Sequence, residues 1–362
     1  MDCKLVKQIK PYLAVIILQC GYAGFSIIAK FALDQGMSHY TLSVYRNVIA
    51  TVVFAPFALV FERKIRPRMT FSVMYKIILL ALLEPVIDQN LYYAGMKNTT
   101  ATFTSAMCNV VPAITFLLAW ALRFERVNIR SLHSQAKIMG TLVTVGGAMI
   151  MTLVNGSVIG LPWTKRKPGF QTTDEKAHQN PVKGALMITA GCFCWSVFYV
   201  LQTTTLKAYP AGLSLTSLIC MAGALQGAAL TLVVERSNAE IWSIGWDIKL
   251  LAYVYGGIIC SGVAYYVSGI ILKQKGPVFV TSFNPLNMII VAVTSSFVFA
   301  EQLNMGKVTG AVVIIVGLYL VIWGKGGDET KPLSDQTEMK DQQKETTNNN
   351  LSANVLSGDN VV

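Results

Sequence analysis

The chain has 362 residues, 53% of them hydrophobic and only 14% charged, with mean hydropathy +0.50 and a formal net charge of +11. A soluble globular chain carries about 25% charged residues, so the composition excludes an ordinary soluble domain and reads as an all-α polytopic membrane protein. The basic residues sit in short runs between apolar segments, which argues against nucleic acid as a partner and for a lipid bilayer with Lys and Arg gathered in its cytoplasmic loops.

A membrane-spanning helix needs about 20 mostly apolar residues. Ten such runs are present, at 11–32, 42–61, 73–94, 101–122, 138–154, 184–203, 213–234, 250–271, 279–300 and 306–323. The fifth is short and extends toward Gln135. The first is too long for the core of a signal peptide and leads directly into further spans, so it reads as an uncleaved membrane segment. Lys4, Lys7 and Lys10 precede span 1, and Arg63, Lys64, Arg66 and Arg68 separate spans 2 and 3. Arg123, Arg126 and Arg130 separate spans 4 and 5, and Lys273 and Lys275 separate spans 8 and 9. All of these share one side if both termini are cytoplasmic. The loop 155–183, with Lys165, Arg166, Lys167 and Lys176, then lies outside against the charge rule. From 325 to 362 the composition is polar and reads as a disordered cytoplasmic tail.

The chain repeats itself. Val60-Phe-Glu-Arg63 closes span 2 and Val233-Val-Glu-Arg236 closes span 7, 173 positions later. Phe103 and Glu125 bracket span 4 as Phe279 and Glu301 bracket span 9, and Lys137-Ile-Met-Gly140 resembles Lys307-Val-Thr-Gly310. The matches are collinear and define two halves of five spans, 1–154 and 184–324, joined by an extracytoplasmic linker at 155–183. An odd number of spans inverts the second half relative to the first, the arrangement of many secondary transporters.

Polar residues interrupt the apolar runs. Span 3 carries Glu84, Asp88, Gln89 and Asn90, and span 4 carries Asn109 and Pro112, with mates Asn284 and Pro285 in span 9. A charge at mid-membrane costs roughly 2.5–3.5 kcal/mol on insertion scales and persists mainly where it faces a bundle interior or a water-filled path. At 1.5 Å per residue, Lys30 lies roughly 5 Å below the outer surface, Arg46 roughly 9 Å, Asp88 roughly 12 Å and Glu84 roughly 18 Å. Two readings stand. In one, Arg46 and Lys30 meet a substrate carboxylate, Gln89, Asn90, Asn109 and Asn284 supply hydrogen bonds, and Glu84 and Asp88 carry a proton. In the other, Lys30 snorkels to the interface, Arg46 pairs with Asp88, Glu84 stays neutral against a neighbouring helix, and Pro112 marks a packing kink. The small-residue motifs Gly21-Tyr-Ala-Gly24, Gly223-xxx-Gly227 and Gly306-xxx-Gly310 let helices approach closely.

Neither an enzyme nor a cofactor is indicated. There is no P-loop, GxSxG or HExxH, no CxxC pair among the seven cysteines, and His39, His133 and His178 are scattered, so no metal site is expected. The sequons Asn98-Thr-Thr and Asn155-Gly-Ser both fall outside; Asn98 sits too close to the membrane to favour modification, so Asn155 is the candidate glycosylation site.

Gln19-Cys-Gly-Tyr-Ala-Gly24, Tyr45-Arg46-Asn47, Asp88-Gln-Asn-Leu-Tyr-Tyr-Ala-Gly-Met-Lys97, Thr102-Phe-Thr-Ser-Ala-Met107, Pro112-Ala-Ile-Thr-Phe116 and Gly276-Pro-Val-Phe279 resemble the plant walls-are-thin-related proteins. These are also called nodulin-like transporters, or the "usually multiple acids move in and out" family, of the drug/metabolite transporter superfamily with paired EamA domains. The resemblance runs from about residue 11 to 324. It implies ten spans, cytoplasmic termini, and the plasma membrane or the vacuolar membrane of a plant. It implies bidirectional movement of amino acids, with auxin or another small organic acid as the alternative cargo, and places Arg46, Gln89, Asn90 and Asn109 along the pathway. A sensor that moves no solute remains a further alternative.

Overall fold

The computed structural model describes residues 3–98, 108–122, 124, 131–154, 157–159, 181–236, 239–243, 245–298 and 303–324. Within them the chain is helical, apart from a two-residue antiparallel pairing of Val158–Ile159 with Leu303–Asn304 beside span 10. Span 1 is Cys3–Asp34, span 2 His39–Phe61, span 5 Leu132–Leu153, span 6 Pro181–Ala208, span 7 Gly212–Val234 and span 10 Met305–Gly324. The described helix of span 4 is Val111–Ala121. Spans 3, 8 and 9 are built in pieces, given below. Twenty-three residues, the length of spans 2 and 7, rise about 35 Å at 1.5 Å each, enough to cross a hydrocarbon core of about 30 Å. Seven of the described helices are long and apolar enough to cross individually, and spans 3, 4 and 5 complete the ten. Span 5 starts at Leu132, beyond Gln135. The linker at 160–180, Asn155 and the tail 325–362 lie outside the described residues.

The two halves are inverted copies, and two of the repeat motifs, those of Glu62 and Glu235 and of Gly140 and Gly310, sit where the copies meet. Span 2 packs along span 7, and their ends cap each other. Glu62, closing span 2, accepts from the backbone N–H of Leu213 and Ser214 in the first turn of span 7 at 2.9 and 2.7 Å. Glu235, closing span 7, accepts from the hydroxyl of Ser38, the N-cap of span 2, at 2.8 Å. A carboxylate at a helix N-terminus meets unpaired N–H groups and the positive end of the helix dipole. The two glutamates of the repeated motif therefore do equivalent work at opposite ends of one antiparallel seam.

Spans 5 and 10 form the second such seam. A Cβ on Gly140 would lie 2.8 Å from Gly317 O, and one on Gly147 would lie 3.0 Å from Gly310 O. Gly140 and Gly310 are the glycines of the two Lys-x-x-Gly motifs, and each is followed seven residues later by the glycine its mate touches. Backbone touches backbone here because neither helix carries a side chain in the way. Further contacts follow the same exchange: span 1 packs on spans 8 and 9 as span 6 packs on spans 3 and 4, and span 2 meets span 8 as span 7 meets span 3.

Four spans depart from regular α-helix, again in pairs. Span 3 runs as α-helix Phe71–Ala81, a π-helical segment Leu82–Asp88 and α-helix Gln89–Asn98. Span 8 runs as Ile248–Tyr255, a π-helical segment Gly256–Val263 and Ala264–Lys275. Span 9 is broken at Phe283 between Pro277–Ser282 and Asn284–Val298. Span 4 has a turn at Asn109–Val110 before its helix starts at Val111. This corrects the expectation of Pro112 as an interior kink: it occupies the first turn of a restarted helix, where the missing N–H would be unpaired anyway.

The largest apolar cluster lies at one end of the bundle. It joins Val15 and Leu18 of span 1, Val73, Ile77 and Leu80 of span 3, Tyr209 and Leu215 around the start of span 7, and Phe279 and Phe283 of span 9. On spans 1, 3 and 9 this cluster takes the first half of the helix, which leaves the middle and second half to the site.

Candidate functional site

A cavity of about 300 Å³ occupies the centre of the bundle, lined from both halves. That is the lower end of the range for ligand pockets, about 300–1,000 Å³. Span 3 brings Glu84, Asp88 and Gln89 to it, span 2 brings Arg46, span 4 Asn109 and span 9 Asn284. Six of the polar residues singled out by sequence therefore share one chamber.

Its charged pole is set by the two π-helical segments. A π turn widens the helix by one residue and leaves backbone groups out of the regular ladder. In span 3 the carbonyl of Pro85 is taken by the hydroxyl of Ser43 at 2.8 Å, which holds span 2 against the segment. In span 8, Gly256 and Gly257 let span 2 come close: a Cβ on Gly257 would stand 2.8 Å from the backbone O of Arg46. The Arg46 side chain lies over this surface, 6% exposed, its Nε donating to Ser261 Oγ at 2.9 Å and its Cζ 5.2 Å from the centre of the Phe25 ring. Glu84, halfway along span 3, accepts from the hydroxyl of Tyr265 and from Gln89 Nε2, the latter at 3.2 Å. The guanidinium is oriented by Ser261 and Phe25, and the carboxylate it interacts with most strongly is Glu84 rather than Asp88. Asp88 packs against span 6, its Oδ1 at 2.9 Å from the place a Cβ on Gly191 would take.

A second part of the lining is neutral and rich in amides. Gln19 Nε2 donates to Asn284 Oδ1 at 3.3 Å, tying span 1 to span 9. Asn109 Nδ2 lies 3.2 Å from Met288 Sδ, tying span 4 to span 9. The rings of Tyr22, Phe25, Tyr92, Tyr93 and Trp195 also line the chamber.

One described sequence candidate, Asn90, is not brought to this chamber: its Nδ2 donates back to Val86 O at 2.6 Å within span 3. One residue of helix rotation past Gln89 is enough to carry it off the cavity face. The side chain of Lys30 and the whole of Asn155 lie outside the described residues. Sequence reasoning passed over Gln19, Asn287, Ser261, Tyr265 and the five aromatic residues. Asn287 carried a usable signal, since it follows Asn284 by three positions and so shares its helix face.

Two inverted five-helix halves enclosing a polar chamber at their interface are an architecture of membrane transporters of small molecules. Residues 9–153 and 182–323 both match the EamA-like transporter family. The Arabidopsis thaliana WAT1-related protein At2g39510 is 54% identical over 335 residues, covering 92% of this chain and 89% of the relative. WAT1-related protein At2g37460 from the same plant is 55% identical over 327 residues, covering 90% and 85%. A solved crystal structure, 16% identical, superposes with a TM-score of 0.61 over 85% of this chain and 93% of the other, which shows a shared fold. The chain belongs to the EamA-like transporter family and is an integral multi-pass membrane transporter.

Proposed function

We propose that the protein moves amino acids, in both directions, across a plant membrane by alternating access of the central chamber, with 1–154 and 184–324 as the exchanging halves. The supporting observation is the buried Arg46 guanidinium, oriented by Ser261 and lining the chamber beside Glu84. A buried cation of this kind calls for an anion, and a substrate carboxylate supplies one in the two-pronged geometry that Arg accepts. Asp88 and Glu84 then face the substrate ammonium, and either can carry a coupled proton. Gln89, Asn109 and Asn284 supply neutral hydrogen bonds. Asn90 acts as support within span 3, and Lys30 stands nearer the outer surface. The termini and the tail are cytoplasmic, Asn155 is the glycosylated position of an outer linker, and the plasma membrane is the site of action, with the vacuolar membrane as alternative.

The five aromatic rings favour a second reading, export of an indole acid such as auxin, whose ring they would stack on. The test is uptake and efflux of labelled glutamine and indole acetic acid in oocytes at two external pH values. Arg46→Ala is run beside the wild type at matched surface level. Saturable glutamine flux that falls at least ~tenfold in Arg46→Ala and is not restored by Arg46→Lys is expected, since an ammonium cannot reproduce the guanidinium fork. Equal flux in the variant removes the carboxylate role. Flux of indole acetic acid alone selects the second reading, and binding without flux of either selects a sensor.

A further inference from the structure

The amide wall holds two polar atoms that no described residue satisfies. Asn284 Nδ2 and Asn287 Oδ1 are both buried without a hydrogen-bond partner among the described residues, and both residues line the chamber. Asn284, Asn287, Met288 and Val291 follow one another at helical spacing on the cavity face of span 9, so the two atoms belong to neighbouring side chains on one surface. The Asn284 carboxamide is fixed by its other end, where Oδ1 accepts from Gln19. The Met288 sulfur beside the pair is engaged by Asn109. One orphan is a donor and the other an acceptor. Buried polar groups of a folded protein are nearly always paired, and an exception asks for a missing partner.

The geometry points to a specificity subsite at Asn284 and Asn287 for a primary carboxamide on the substrate. Its carbonyl accepts from Asn284 Nδ2 and its NH₂ donates to Asn287 Oδ1. This rests on the amino-acid reading of the chamber and deepens it. The charged pole takes the substrate's α-carboxylate and α-ammonium, and the amide wall reads the end of its side chain. A site built to hydrogen-bond a substrate rejects the analogue that lacks the group, because its own buried groups are then left unpaired. Glutamine is therefore preferred over methionine, a side chain of similar length with no amide.

The experiment is flux of labelled glutamine and labelled methionine through wild type, Asn287→Leu and Asn287→Thr in oocytes, with surface protein measured by biotinylation. The reading is the glutamine-to-methionine ratio, which does not depend on expression. The ratio favours glutamine in the wild type and falls at least ~tenfold in Asn287→Leu. It recovers in part in Asn287→Thr, which keeps an accepting oxygen. A wild type that carries both solutes equally leaves the amino-acid reading standing and overturns the subsite. So does an Asn287→Leu ratio equal to wild type, or a loss of both fluxes in the same proportion. A wild type that carries neither solute overturns the amino-acid reading and the subsite with it.

Discussion

At the residue scale the site depends on how Glu84 is satisfied. Its carboxyl is buried, 7% exposed, and accepts from Tyr265 on span 8 and Gln89 on its own span. Removing the phenol in Tyr265→Phe leaves a buried acceptor short of a partner, which costs about 1–3 kcal/mol. Glu84→Gln removes the carboxyl that accepts from the phenol, so the two changes are expected to be non-additive, with a coupling of about 0.5–3 kcal/mol. Thermal unfolding of the two single variants and the double variant in detergent measures it, and additive shifts would rule the bond out as a stabilising contact. Much of this chamber was legible beforehand, because a bilayer makes every buried polar residue conspicuous. Arg46, Glu84, Asp88, Gln89, Asn109 and Asn284 stood out for that reason. Tyr22, Tyr92, Tyr93 and Trp195 did not, since an aromatic residue inside an apolar run is ordinary. Asn90 stood out equally and misled, because a run of three polar residues does not say which of them faces inward.

At the element scale the positions of the helices were readable and their irregularities were not. Apolar run length fixes a span to within a few residues, as for span 7, read at 213–234 and found at Gly212–Val234. The π-helical segments of spans 3 and 8 leave no mark on hydropathy, although Pro85 and the Gly256–Gly257 pair fall inside them. Those glycines matter for contact. A Cβ on Gly257 would meet the Arg46 carbonyl oxygen and the Ile49 Cβ, both at 2.8 Å. Neither atom can swing aside, so Gly257→Ala is expected to cost about 1–3 kcal/mol by overpacking and to lower flux by displacing Arg46. Gly146 in span 5 has nothing within 4 Å of the same point. Gly146→Ala is expected to be neutral or to stabilise by about 0.4–1 kcal/mol. Melting temperatures of the two variants, compared side by side, decide whether close approach or glycine content governs these helices. Equal shifts would exclude the first.

At the scale of the whole molecule the repeat motifs of Glu62 and Glu235 and of Gly140 and Gly310 turn out to lie where the two halves meet. Glu62 and Glu235 could be matched by offset alone, but that each caps the other's helix required the fold, because the partners lie 151 and 197 positions away. Contacts that the exchange of halves maps onto themselves, such as these caps and the glycine seam of spans 5 and 10, need not break when the transporter turns over. The apolar plug is different. It fills the end of the bundle that carries the span 2–3 and span 8–9 connections, with Tyr12 against Phe279 at 5.1 Å and Phe279 against Phe283 at 5.2 Å. The chamber begins where that plug stops, so this conformation is closed on the side of the N-terminus. In a variant with its native cysteines replaced, Val291→Cys is expected to react with a membrane-impermeant maleimide from the side opposite the N-terminus. Val15→Cys, fully buried in the plug, is expected to be protected from both sides. Phe279→Ala removes the ring that Tyr12 and Phe283 share, and is expected to admit the reagent to Val291→Cys from the N-terminal side as well. Labelling of Val291→Cys from the N-terminal side while Phe279 is intact would mean that the plug does not close the pathway, and the closure would have to be sought at the smaller cluster of spans 1, 2 and 8 around Phe25, Leu42 and Tyr253.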